Sequence, residues 1–113
     1  MDELSGVFQA LAHEHRRRIV HALALRPHSI SELADQRGVS LPAIHKHIRV
    51  LEAAGMVRRR KTGRVTFLAL QRSLMRRLKT WVDQFDPEWG TDEESLHNYA
   101  GYLQNPQLKK ESP

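Results

Sequence analysis

The sequence predicts a mainly α-helical chain carrying one small β-hairpin, and three observations support that reading. Apolar residues recur at helical spacing on both sides of a central stretch. Serines and a threonine stand where helices need amino-terminal caps. Only residues 56–70 change texture, to basic and β-branched residues around a single Gly63.

The elements follow in order. Leu4, Val7, Phe8 and Leu11, at i, i+3, i+4 and i+7, mark a first amphipathic helix. A second is predicted from about His15 to Leu25, with Ile19, Val20 and Leu23 inward and Pro27 closing it. Ser29 and Glu32 have the spacing of a capping box, which opens a short helix that buries Leu33 and Ala34 and stops at Gly38. Ser40 caps a fourth helix, Pro42 is tolerated in its first turn because an N–H is dispensable there, and Gly55 ends it. Met56 to Leu70 reads as a hairpin turning at Gly63, with Leu68 and Leu70 on one face and the arginines of its first strand in solvent. Leu74, Leu78, Trp81, Val82 and Phe85 form the strongest helical stripe, ended by Asp86-Pro87. Thr91 and Glu94 offer a second capping box, for a last helix whose Leu96, Tyr99, Ala100 and Leu103 share a face. The expected organisation is one domain over 1–104 and a flexible tail over 105–113.

Charge divides the 113 residues unevenly. Residues 1–80 hold 16 of the 18 Lys and Arg but only 6 of the 13 acids, a balance of +10, whereas residues 81–113 set 2 bases against 7 acids, −5. A basic body attracts polyanions, and nucleic acid is the commonest such partner. There is no cysteine, which excludes disulfides, thiolate metal sites and cysteine nucleophiles. No Gly-rich phosphate loop, G-x-S-x-G or H-E-x-x-H occurs, so no enzyme is expected. Met1-Asp2-Glu3-Leu4 lacks a basic leader region and no apolar run reaches membrane-spanning length, so the expectation is a cytoplasmic chain without a membrane partner.

Two short helices separated only by Gly38-Val39 have the proportions of a helix-turn-helix. In the second, Ile44, Ile48 and Leu51 form the inner stripe, and Pro42, His45, Lys46 and Arg49 the outer one. Lys46 and Arg49 suit phosphate or guanine edges, and His45 can donate or accept at a base. The basic hairpin that follows would bring cations to the same polyanion. Leu11-Ala12, Arg16 to Val20, Glu32-Leu33-Ala34, Ser40 to Leu51, Ala54 to Val57 and Gly63-Arg64, in that order, resemble the arsenic-repressor (ArsR-like) family over roughly residues 4–103. The resemblance implies a winged helix-turn-helix, usually a dimeric repressor, with the recognition helix in the major groove and the wing on the backbone or minor groove. Ser40, Leu41, Pro42, His45, Lys46, Arg49, Arg60, Lys61 and Arg64 are the expected DNA-binding residues. Leu41 stands where the family often has glutamine and His45 where it often has serine, so the operator is not transferable. Leu41 fits a thymine methyl or simple packing equally well. His47 matches the family's histidine but lies beside the buried stripe, which favours a packing and orienting role.

The family's metal sites are not matched. Glu32-Leu33-Ala34-Asp35 replaces the Cys-x-Cys of the soft-metal sensors, and residues 71–85 contain no histidine for a zinc site. Glu93 and His97 share a helix face but read as structural, and His13/His15 and His45/His47, at i, i+2, do not face one point on a helix. His13-Glu14-His15 reads as the start of a helix rather than a ligand set. No metal or other cofactor is expected, and no effector is legible. Leu4, Val7 and Phe8 on the first helix, with Leu74, Leu78, Trp81 and Phe85 on the fifth, exceed what one small core needs and predict a homodimer interface. Two other functions compete: an adaptor that binds protein through exposed helices, and a winged helix that binds nucleic acid without sequence preference.

Overall fold

The computed structural model describes residues 2–85 and 90–105. The elements are α1 (Glu3–Leu11), α2 (Glu14–Leu25), β1 (His28–Ser29), α3 (Ile30–Arg37), α4 (Leu41–Ala53), β2 (Val57–Thr62), β3 (Val65–Leu70), α5 (Arg72–Asp83) and α6 (Asp92–Gln104). They divide into two compact units, Met1–Lys79 and Thr80–Pro113, with the boundary inside α5.

In the first unit the predicted caps form. Ser29 Oγ accepts from Glu32 N–H while Glu32 Oε1 accepts from Ser29 N–H, the reciprocal pair of a capping box. Gly38 closes α3 at φ +62°, a left-handed position that a side chain would strain, and its N–H reaches back to Ala34 and Asp35 carbonyls. Ser40 caps α4 through Ala43 N–H. The core gathers the inner faces of every helix in this unit and the sheet: Val7, Ile19, Leu23, Leu33, Ile44, Ile48, Leu51, Met56 and Leu68 are sealed from solvent. Burying each such side chain contributes about 1.5–3 kcal/mol, which makes α4 an integral part of the fold rather than an appendage.

Three features differ from the sequence reading. The sheet has three strands in the order β1-β3-β2, because His28 and Ser29 pair antiparallel with Leu68 and Phe67. Two residues are too few to express an alternating pattern, so β1 had no legible signal. Val7 and Leu74, expected at a dimer interface, are 0% and 3% exposed within the single chain and already spent on its own core. Leu78 is partly buried against that core, whereas Phe8 is 44% exposed. The third concerns His13, which caps α2 from outside the helix through His15 N–H. The helical i, i+2 rule therefore does not separate it from His15, and their rings stack at 5.6 Å.

In the second unit, α5 finishes at Asp83, and Asp86-Pro87 and the expected tail beyond Asn105 lie outside the described residues. Trp81 and Phe85 meet edge to face at 4.9 Å, and Phe85 is exposed. Thr91 and Glu94 form the second capping box, and Leu96, Tyr99 and Leu103 of α6 are exposed. Among the described residues no helix is long and apolar enough to cross a membrane.

Candidate nucleic-acid interface

The recognition surface is set by how α4 is held. Ile44, Ile48 and Leu51 are fully buried, which fixes the roll of the helix and turns the opposite stripe outward. Leu41, Pro42, Lys46 and Arg49 are exposed and His45 half-buried. Arg49 Nε donates to the His45 carbonyl at 3.4 Å, a weak tether that keeps its guanidinium along the helix surface. Ser40 Oγ is used as the cap acceptor, which leaves its hydroxyl hydrogen available as a donor.

The wing is joined to the helix by a charged clamp. Arg59 on β2 donates to both carboxylate oxygens of Glu52 on α4, at 2.8–3.0 Å. That hydrogen bonding, with the carboxylate charge behind it, holds the Arg59 guanidinium above its ordinary range despite some burial. The clamp ties α4 to the first wing strand.

Register decides which cations share a face. Along β2, Arg58, Arg60 and Thr62 oppose Ala69, Phe67 and Val65, while Val57, Arg59 and Lys61 oppose Leu70, Leu68 and Thr66. Val57 and Leu68 are buried, so the second set is the α4 side of the ribbon. Lys61 lies on that side. Arg60, expected beside Lys61 at the DNA, instead shares the far side with Arg58, next to Pro27, Phe67 and Ala69. The two-residue period of a strand makes that separation unavoidable.

Arg64, just past the turn at Gly63, comes back to α4. With Val65 and Thr66 it borders an open hollow of about 210 Å³ whose other walls are Ser29, Ile30 and Ser31 from the start of α3 and Leu41 and His45 from α4. Ser29 and Ser31 were not anticipated at this surface. Only their S-x-S spacing at a helix start could have suggested it, because a helix start gathers hydroxyls, although the Ser29 N–H itself is taken by Glu32. The hollow thus joins three separate segments into one cationic, hydrogen-bond-donating concavity. A larger hollow of about 720 Å³, between α1 and the end of α4, is lined by Gly6, Ala10, Ala53 and Gly55 among others and takes none of the expected DNA-binding residues.

Among the described residues no group of three or more His, Asp or Glu is arranged to hold a metal ion.

Comparison with known proteins matches this architecture. A helix-turn-helix domain family matches residues 11–60, which span α2 to β2. The chain is 38% identical over 78 residues to the HTH-type transcriptional regulator Rv2034 of Mycobacterium tuberculosis, covering 69% of this chain and 73% of that protein. Its fold is similar to the crystal structure of the ArsR family transcriptional regulator RHA00566, with 36% identity, a TM-score of 0.68, and 74% of this chain and 91% of that one covered. It is also similar in fold to Mb0332 of Mycobacterium bovis, described as a homodimeric winged helix-turn-helix DNA-binding domain, at 24% identity and a TM-score of 0.64, with 73% and 76% covered. A curated regulator matched over most of its length and an ArsR structure matched over nine-tenths of its chain, on a core that presents α4 and a basic wing together, place this chain in the ArsR family of helix-turn-helix transcriptional regulators.

Proposed function

We propose that this regulator binds a palindromic operator in duplex DNA as a homodimer and represses transcription there. The observation that carries the proposal is the convergence of α3, α4 and the wing on one concave cationic surface, with Ser31, Leu41, His45 and Arg64 around a single hollow. Lys46 and Arg49 extend that surface along the outer stripe of α4, toward base edges in a major groove. Lys61 and Arg64 take the flanking backbone phosphates. Arg60, on the far side of the ribbon, contributes at most through its charge.

A two-fold dimer sets two such helices one helical turn of DNA apart. In the first unit Leu4, Phe8 and Leu78 remain candidates for dimer contacts, with Val7 and Leu74 withdrawn into the core, and in the second unit Trp81 and Phe85 remain candidates. The wing belongs to the unit Met1–Lys79, and the compartment is the cytoplasm. No catalytic step and no metal is assigned.

Alanine substitution separates the roles in a titration against an operator at fixed salt. Lys46→Ala and Arg49→Ala should each weaken operator binding by roughly 1–3 kcal/mol and blur its sequence preference. Lys61→Ala and Arg64→Ala should weaken all duplexes alike and reduce the salt slope by about one per lost phosphate contact. Unchanged affinity in the α4 variants would refute the assignment of that helix.

A further inference from the structure

The function above leaves unused a cluster of three imidazoles behind the recognition helix. His13 and His15, at the start of α2, and His47, on the inner shoulder of α4, have ring centroids 4.5 Å (His13 to His47), 5.5 Å (His15 to His47) and 5.6 Å (His13 to His15) apart. Each ring accepts at Nδ1 from a group that can only donate. His15 backbone N–H donates to His13 at 3.1 Å, Arg37 Nε of α3 to His15 at 3.2 Å, and Arg16 Nη1 of α2 to His47 at 3.4 Å. An imidazole that accepts at Nδ1 carries its one proton on Nε2 and is neutral, so the arrangement specifies the charge state of all three rings. Arg16 also donates from Nε and Nη2 to the Ala10 and Gln9 carbonyls at the end of α1, so one guanidinium joins α1, α2 and α4.

The same bonds argue against a metal ion, because neither ring nitrogen offers a free lone pair. They also make the cluster intolerant of protons. Arg16 from α2 and Arg37 from α3 donate to its rings, and Lys46 of α4 adds a positive charge nearby. Glu14, the acid in the first turn of α2, is paired with Arg18 at 3.0 Å. A proton added at any Nδ1 replaces an acceptor by a donor, breaks the bond made there, and sets a positive ring among guanidiniums.

We propose that His13, His15 and His47 form a proton-operated latch on the recognition helix: neutral, they tie α4 to the α1–α2 corner and to α3, and acidification releases the tie and weakens operator binding. His47 fits this role, since burial first, then the repulsion its imidazolium would meet from a proton on His13, from Arg16, from a proton on His15 and from Lys46, hold it below the ordinary 6.5. The unfolded chain therefore takes up that proton at higher pH than the folded one, so the stability the neutral ring contributes is complete above about pH 6.5 and declines as pH falls through it. The consequence for operator binding rests on the DNA-binding reading, but the latch itself is tested without DNA.

The experiment uses the full chain. Nitrogen NMR of the imidazoles at pH 7.5 should find Nδ1 unprotonated and Nε2 protonated in all three rings; a protonated Nδ1 on His47 overturns the proposal, and this readout needs no variant. Thermal unfolding without DNA should lose about 5 °C between pH 7.5 and 5.5. The variant His13→Ser/His15→Gln/His47→Asn, which keeps non-titrating acceptors at each position, should lose clearly less; His21, His28, His45 and His97 are common to both proteins. Equal losses overturn the latch. Operator affinity of the wild type should fall about tenfold over the same interval while binding to unrelated duplex is unchanged or tighter, since added positive charge alone strengthens the latter. A parallel loss on both duplexes contradicts the release of α4, and absence of any DNA binding at either pH counts against the proposed function and leaves the unfolding comparison to decide the latch.

Discussion

Replacing Gly38 tests the geometry of the turn that sets α3 against α4. Gly38 has φ +62° and ψ +33°, and a Cβ built there meets no heavy atom within 4 Å. The cost of Gly38→Ala is therefore backbone strain alone, about 1–2 kcal/mol for a left-handed alanine. The unfolded chain also loses freedom, which offsets about 0.4–1 kcal/mol. The net destabilisation is roughly 1 kcal/mol, or about 4–8 °C in Tm for a unit of this size. Gly38→Asn should cost less, since asparagine tolerates this conformation. Thermal unfolding by circular dichroism reads both. Below the melting range operator affinity should stay within about twofold, because strain without a clash leaves the folded geometry in place. An alanine variant as stable as wild type, or an asparagine variant as damaged as alanine, would refute the reasoning. So would a loss above about 3 kcal/mol, which would require a steric clash.

Three further predictions concern the cap of α3 and assembly. Ser29→Ala should cost about 1 kcal/mol by removing one half of the capping box. The Arg26 hydrogen bond, then that of Ser29 N–H, holds the Glu32 carboxyl down at about 2, from 4.5. Its contribution to stability is thus complete above pH 4.5 and lost as pH falls toward 2, so Glu32→Gln should show a smaller acid-induced drop in Tm over that window. Trp81→Glu should place a charge in the proposed dimer interface and raise the dimer Kd by about 100-fold or more, corresponding to roughly 3 kcal/mol, with the monomer still folded by circular dichroism. Sedimentation at micromolar concentration checks it, and an unaltered dimer would exclude α5 from the interface.

Local chemistry made much of the fold legible from sequence. The capping boxes at Ser29 and Thr91, the glycine stop at Gly38 and the proline-tolerant start of α4 are all short-range devices, and the structure has each of them. What was not legible depends on residues far apart in the chain. Val7 and Phe8 belong to one apolar stripe, and only the packed fold assigns Val7 to the core and leaves Phe8 exposed. His47 reaches His13 across 34 positions, so no spacing rule could have joined them. The separation of Arg60 from Lys61 was within reach of strand alternation, because consecutive residues must point to opposite faces. Its meaning depended on knowing which face packs on α4, and Arg59 and Glu52 supply that.

The most direct test of the DNA-binding account is selection from a random duplex pool by the full chain at 150 mM salt, followed by sequencing of the bound fraction. The account predicts enrichment of a two-fold symmetric site whose half-sites lie one helical turn, about 10 base pairs, apart, with Arg49→Ala losing preference within each half-site. Recovery of duplexes without any shared sequence would contradict it.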